Sequence, residues 1–163
     1  MLPGKDGIPK KTVDTQTYMN TLREIVEEGH EVSLLIAGNS MNPFLADGRD
    51  VLLIQKPEGP PGKGDMVFYQ RRNGQFVMHR ICQVARGKDA EPVYYMIGDA
   101  QQEIEGPIAG NMIFGHITRV CRKGKWIGKG NFWWEFFKHI WIHMIPFRRN
   151  IMGIYSCFAR RKE

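Results

Sequence analysis

The sequence predicts a mostly β, antiparallel and coiled domain, preceded by one helix and followed by an amphipathic helical tail. Three observations carry that expectation. Short runs rich in Val, Ile, Phe and Tyr recur between Gly, Pro, Asn and Asp clusters over residues 31–126, the pattern of many short strands joined by turns. A helical period precedes them, at residues 14–29. From Asn131 onward, aromatic and aliphatic side chains alternate with His, Lys and Arg. The chain therefore divides into a lead-in and helix (1–30), a β domain (31–128) and a basic aromatic tail (129–163).

Residues 1–12, rich in Lys, Gly and Pro, read as a mobile lead-in. Tyr18, Leu22, Ile25 and Val26 then fall at i, i+4, i+7 and i+8, one apolar stripe on a helix capped by Asp14 or Thr15 and stopped at Gly29. Such a stripe lies on something, either the β domain or a partner. Strands are expected at 31–37 and 50–55, with residues 44–48 turning between them, and 56–64 is a Pro/Gly loop. Asp65 opens the next strand, and an Asp after Gly commonly bonds its own backbone. Asn73-Gly74 joins 62–70 to 76–84 as a hairpin. A polar loop (85–91), a strand (92–98) ending at Asp99, a closing strand (108–120) and a turn at 123–126 complete the domain.

The net charge of +6 is unevenly spread. Residues 1–121 hold 13 Lys and Arg against 15 acidic residues, whereas residues 122–163 hold ten against two. The basic character belongs to the tail, which suggests a polyanionic partner there, membrane or nucleic acid. Cys82, Cys121 and Cys157 are odd in number and widely spaced, which argues against a disulfide framework, a zinc site and a redox motif. Lys5, Lys10 and Lys11 have no apolar core behind them, so no secretory leader is expected. No run reaches about 18 uncharged apolar residues, so a spanning helix is not expected either. The expected location is cytoplasmic, with room for peripheral contact with a membrane.

Two residues invite chemistry. An apolar run over 34–37 stops at Gly38 and hands a hydroxyl, Ser40, to a bend at Met41, Asn42 and Pro43. That arrangement can hold a nucleophile rigidly at a sheet edge, and a Ser in such a turn can equally serve its own backbone. On the second hairpin strand, alternation puts Val77, His79 and Ile81 on one face. A His between two aliphatic neighbours is either a satisfied core residue or a base kept neutral by desolvation.

In order along the chain, Gly38-Asn39-Ser40-Met41-Asn42-Pro43, Lys63-Gly64-Asp65-Met66-Val67-Phe68, His79-Arg80-Ile81 and Ile97-Gly98-Asp99-Ala100 resemble the type I signal peptidase superfamily, which includes the self-cleaving repressors of the DNA-damage response. The likeness covers residues 32–120. In that pattern a nucleophilic Ser is followed by Met and, two residues on, Pro; a Gly-Asp opens a strand; a base precedes Arg; and a second Gly-Asp follows. The base is Lys in the bacterial enzymes and the repressors, and His in the archaeal and endoplasmic-reticulum branch that this chain resembles. The resemblance implies a signal-peptidase-like or repressor-like peptidase fold, with Ser40 as nucleophile and His79 as general base. It implies Asp99 as the acid that orients the base, with Glu103 and Glu105 as alternatives. Gly38, Met41 and Pro43 would border a cleft that takes the substrate as an added strand.

The function so implied is a serine endopeptidase that cleaves a leader, signal or precursor peptide, with a peptide or precursor protein as partner. No cofactor and no metal are expected, and no nucleic acid. Two rival readings stand beside it: a self-cleaving regulator of the repressor type, and a catalytically inactive peptide-binding relative. The 39 residues before Ser40 leave little space for a helix-turn-helix, and the base is His rather than Lys, both against the regulator. In the tail, Glu135, His139 and His143 form a narrow polar stripe beside Trp133, Trp134 and Trp141. Residues 131–163 thus read as an interfacial helix drawn to anionic lipid by Arg148, Arg149, Arg160, Arg161 and Lys162, or as a helix capping the core.

Overall fold

The computed structural model describes residues 14–160, so the lead-in expected over 1–12 lies outside the described residues, as do Arg161 and Lys162. Helix α1 spans Thr15–Glu27, with the Asp14 carboxylate accepting from Thr17 N–H at its start and Gly29 left-handed after its end. Leu22 and Val26 are buried against the sheet, while Tyr18 and Ile25 stay exposed, so the stripe docks by its centre.

The eight strands among the described residues are β1 (Val32–Leu35), β2 (Val51–Gln55), β3 (Met66–Gln70), β4 (Phe76–Arg86), β5 (Pro92–Ile97), β6 (Glu105–Ala109), β7 (Ile113–Arg122) and β8 (Lys125–Gly128). All pairs are antiparallel, and the sheet is open, in the order β1-β2-β7-β3-β4-β5-β6. β7 is the hub: one edge meets β2, while the other meets β3 along its first half and β8 along its second. Register shifts in four of these pairings bend the sheet, since a bulge raises local twist. The mostly antiparallel β architecture and its leading helix match the expectation.

Three local differences have physical reasons. The 108–120 run contains a break at Gly110–Met112, so β6 and β7 are separate strands. The expected final turn is a hairpin, with Lys123 and Gly124 at positive φ and residues from 125 on pairing back on β7. The tail is not one long helix. α2 (Phe132–His139), capped by the Asn131 side chain, gives way at Ile140 to two 3₁₀ turns, and α3 (Arg148–Arg160) follows.

The principal core lies between the sheet and these helices and includes Leu22, Val26, Phe44, Leu52, Phe68, Phe114, Trp134, Phe137 and Trp141. The tail therefore caps the domain through Trp134, Phe137 and Trp141. Phe132, Trp133, Ile140 and Phe147 remain exposed. No helix among the described residues is long and apolar enough to cross a membrane.

Candidate active site

The site forms where the chain leaves β1. Pairing runs one residue past Leu35, with Ile36 N–H donating to the Asp50 carbonyl at 2.8 Å, and the chain then reverses at Gly38. Gly38 has φ +89° and donates its N–H to the Asp47 carboxylate at 2.9 Å, a conformation that favours glycine. Met41, Phe44 and Leu45 then enter the core, each no more than 2% exposed. Half-buried Ser40 is carried between the left-handed glycine and these anchors.

A second loop clamps Ser40 from the other side. The carbonyl of Ser40 accepts the N–H of Ala100 at 2.8 Å. The approach is so close that a Cβ on Gly98 would lie 2.5 Å from that carbonyl oxygen, so the glycine of Ile97-Gly98-Asp99 is a packing requirement. Three buried groups hold the loop. The Arg80 guanidinium donates Nε and Nη2 to the two Asp99 oxygens at 2.9 Å each, and Nη1 to the Gly64 carbonyl. Trp141 Nε1 donates to the Asp99 carbonyl at 2.9 Å. Arg148 reaches the carbonyls of Gly98, Gln101 and Trp141 at 2.8, 3.1 and 3.2 Å.

His79 sits in mid-β4, opposite Val67 of β3, and is 4% exposed. Tyr69, its diagonal neighbour across the hairpin, lies with Oη 3.2 Å from His79 Nδ1. The Tyr69 hydroxyl donates to Glu105 Oε2 at 2.8 Å, and Glu105 accepts Arg71 Nε and Nη2 at 2.6 and 2.5 Å. Burial lowers the pKa of His79 to about 4; Glu105 and Asp99 oppose the shift and Arg71 adds to it. The Arg71 hydrogen bonds hold the Glu105 carboxyl below the usual range, and burial, then Glu105, pushes the Tyr69 phenol up. At neutral pH the imidazole is thus uncharged.

Ser40 and His79 line one cavity of about 680 Å³. Its wall is largely apolar, from Leu34, Ile36, Met41, Leu52, Phe68 and Met78, and α1 adds Thr15, Gln16, Tyr18 and Met19. Residues 34–38 run along it, and β1 is an edge strand paired only with β2. A second cavity, about 790 Å³, shares Arg71 and Gln101 with the first and is lined by Glu103 and Glu105.

No family model matches the chain, and no curated protein matches it.

Of the residues singled out in the sequence, the cavity brings together Gly38, Ser40, Met41 and His79. Pro43 is not in its wall; it turns Phe44 into the core, and its carbonyl faces Arg122. Asp99 differs from expectation as well: both carboxylate oxygens are taken by Arg80, and the group on His79 Nδ1 is Tyr69. Glu103 is exposed on the rim of the second cavity, whereas Glu105 reaches the imidazole through Tyr69. Asp65 accepts from Gly62 N–H, as a turn residue does, and also from Lys138 Nζ at 2.7 Å. His139 pairs with Glu135 at 3.1 Å, and among the described residues no group of three His, Cys, Asp or Glu could hold a metal ion.

Tyr69 and Arg71 went unremarked in the sequence, and Gly98 stood there only as part of a motif. The register with Val67 opposite His79 puts Tyr69 on the face of His79, whereas a two-residue Asn73-Gly74 turn would put Phe68 there, so that contact was not readable from the turn signal. The role of Gly98 depends on two loops meeting, which spacing does not encode.

Proposed function

We propose that this chain is a serine endopeptidase of signal-peptidase-like type, with the peptidase fold of that superfamily and its Ser-His branch. The observation that carries the reading is a hydroxyl and a neutral, buried imidazole from distant parts of the chain lining one cavity at a free sheet edge. In this mechanism Ser40 Oγ attacks the peptide carbonyl while His79 takes its proton and passes it to the leaving amine; water then hydrolyses the acyl-enzyme by the same route. The Ser40 N–H would meet the oxyanion, and Gly38 has no hydroxyl to add. A substrate lying against β1 would pair its backbone with the strand's open edge, its side chains meeting the apolar wall. Small residues before the scissile bond are what the resemblance suggests.

The test is labelling by a fluorophosphonate probe together with cleavage of a leader-peptide library. Wild-type protein should take up the probe at Ser40 and cut; Ser40→Ala and His79→Ala should do neither while keeping their melting temperatures. Absence of wild-type labelling and cleavage, or full activity in either variant, refutes the assignment. Peptide binding with neither probe labelling nor cleavage would favour the inactive binding relative.

The same reading puts the enzyme at a membrane surface, where leader peptides gather. Phe132, Trp133, Ile140 and Phe147 are 70, 47, 53 and 61% exposed, in the segment holding ten of the 23 Lys and Arg residues. Co-sedimentation with vesicles containing anionic lipid, weakened by salt and by Phe132→Ser with Trp133→Ser, is expected. Equal recovery with and without vesicles would refute it.

A further inference from the structure

Resting on the reading of His79 as base, we propose that Tyr69 and Glu105, with Arg71 behind them, are positioning residues that set which imidazole nitrogen carries the proton. Direct contact with an acid is not how this ring is held. Its Nδ1 meets a hydroxyl, and the hydroxyl meets the acid.

The direction of each hydrogen bond follows from counting protons. Glu105 takes two guanidinium donors from Arg71, so it is ionised and can only accept. The single phenolic proton of Tyr69 is therefore committed to Glu105, 2.8 Å away, leaving the Tyr69 oxygen as an acceptor toward His79. An acceptor 3.2 Å from Nδ1 requires N–H there. The remaining nitrogen, Nε2, then bears the lone pair, the form a general base needs. The chain also fixes the ring plane, because Tyr69 and His79 stand as diagonal neighbours on one face of the β3–β4 hairpin and Tyr69 is fully buried.

Glu105 and Arg71 largely cancel as charges, and the carboxylate of Asp99 is engaged by Arg80. The charged groups facing His79 are thus Glu105, Arg71 and Asp99, and burial outweighs them in keeping the ring neutral. Orientation is what the chain supplies. That division of labour assigns Asp99 to the loop that clamps Ser40 and Glu105 to the base.

Two variants read the chain without disturbing the core. Tyr69→Phe removes only the hydroxyl; Glu105→Gln turns an obligate acceptor into a group that can donate to Tyr69, freeing the phenolic proton to turn toward Nδ1. Histidine nitrogen chemical shifts in the full chain should show Nδ1–H in wild type, a mixture in Tyr69→Phe and a shift toward Nε2–H in Glu105→Gln. Glu105→Asp should restore part of the wild-type signal. Peptide cleavage should fall roughly 10- to 100-fold in the first two, the usual loss with an orienting partner, mainly in kcat rather than KM. Wild-type Nε2–H, or a tautomer indifferent to both substitutions, overturns the proposal. If the tautomers behave as stated but wild type neither labels at Ser40 nor cuts, the positioning chain stands and the peptidase reading fails.

Discussion

Replacing Gly98 by Ala tests the site at its tightest point. The added Cβ would fall 2.5 Å from the Ser40 carbonyl oxygen and 2.9 Å from Gln101 Oε1. The Gln101 side chain is exposed and can swing away; the Ser40 carbonyl belongs to a backbone anchored by Met41, Phe44 and Leu45. Ordinary contact needs about 3.4 Å, so the two backbones must part by about 0.9 Å, which also breaks the 2.8 Å bond from Ala100 N–H. Losing that bond costs about 0.5–1.5 kcal/mol of stability. On the proposed peptidase reading the larger effect falls on chemistry: a displacement of about 1 Å at a reacting group costs on the order of 100-fold in rate, or about 2.7 kcal/mol of barrier. Cleavage kinetics and probe labelling of Gly98→Ala, with a denaturant melt alongside, separate the two quantities. A variant whose kcat/KM stays within twofold of wild type would refute the claim that loop contact at Gly98 positions Ser40.

Three further outcomes follow from the same geometry. Because the pKa of His79 drops from 6.5 to about 4 on folding, the unfolded chain binds more protons between those values; this residue's contribution is fully present above pH 6.5 and lost as pH falls toward 4, by up to about 3 kcal/mol. Denaturant melts of wild type and His79→Asn should therefore diverge in slope across pH 4–6.5, and the acid limb of kcat/KM should lie nearer 4 than 6.5; parallel slopes would refute the buried neutral ring. Arg80→Ala strands a fully buried Asp99 carboxylate and should destabilise by about 3–5 kcal/mol, and a loss below about 1 kcal/mol in the melt would show the pair to be dispensable. Arg148→Lys keeps the charge but cannot span three carbonyls, so probe labelling at Ser40 should slow several-fold; unchanged labelling would uncouple the tail from the site.

The parts of this molecule readable from its sequence are those written in short-range patterns. Asp14 and Gly29 bracket α1 as cap and stop signals do, and Asn73-Gly74 makes a hairpin, although Arg71 N–H donates to Gln75 C=O and so closes a three-residue connection. Alternation on β4 put His79 on the right face. What stayed hidden is what needs two distant segments at once. Asp99 was a reasonable orienting acid by order of motifs, but the neighbouring Arg80 has a fork that matches a carboxylate, and once both oxygens are engaged the imidazole must find another partner. Glu105 fills that need only because β6 exists as a strand beside β5, and the sequence Glu105-Gly106-Pro107 carries no alternation to announce it.

The tail illustrates the same limit and explains why the site is not separable from it. Read alone, residues 131–147 show a narrow polar stripe beside a broad apolar face, and no periodicity can say which part of that face docks. Phe44, carried in by the bend after Ser40, settles it: its ring packs 4.7 Å from Phe137 and 6.2 Å from Trp134, with Arg80 and Arg122 set against its faces. The bend that presents the hydroxyl therefore also seats α2, and α2 leads into the Trp141 and Arg148 contacts that hold the loop against Ser40. Contacts thus run from Ser40 through Phe44 and the tail back to the backbone of Ser40, a closed circuit of packing. A truncation removing the residues from 131 onward should for that reason loosen the Ser40 loop even where the sheet itself survives.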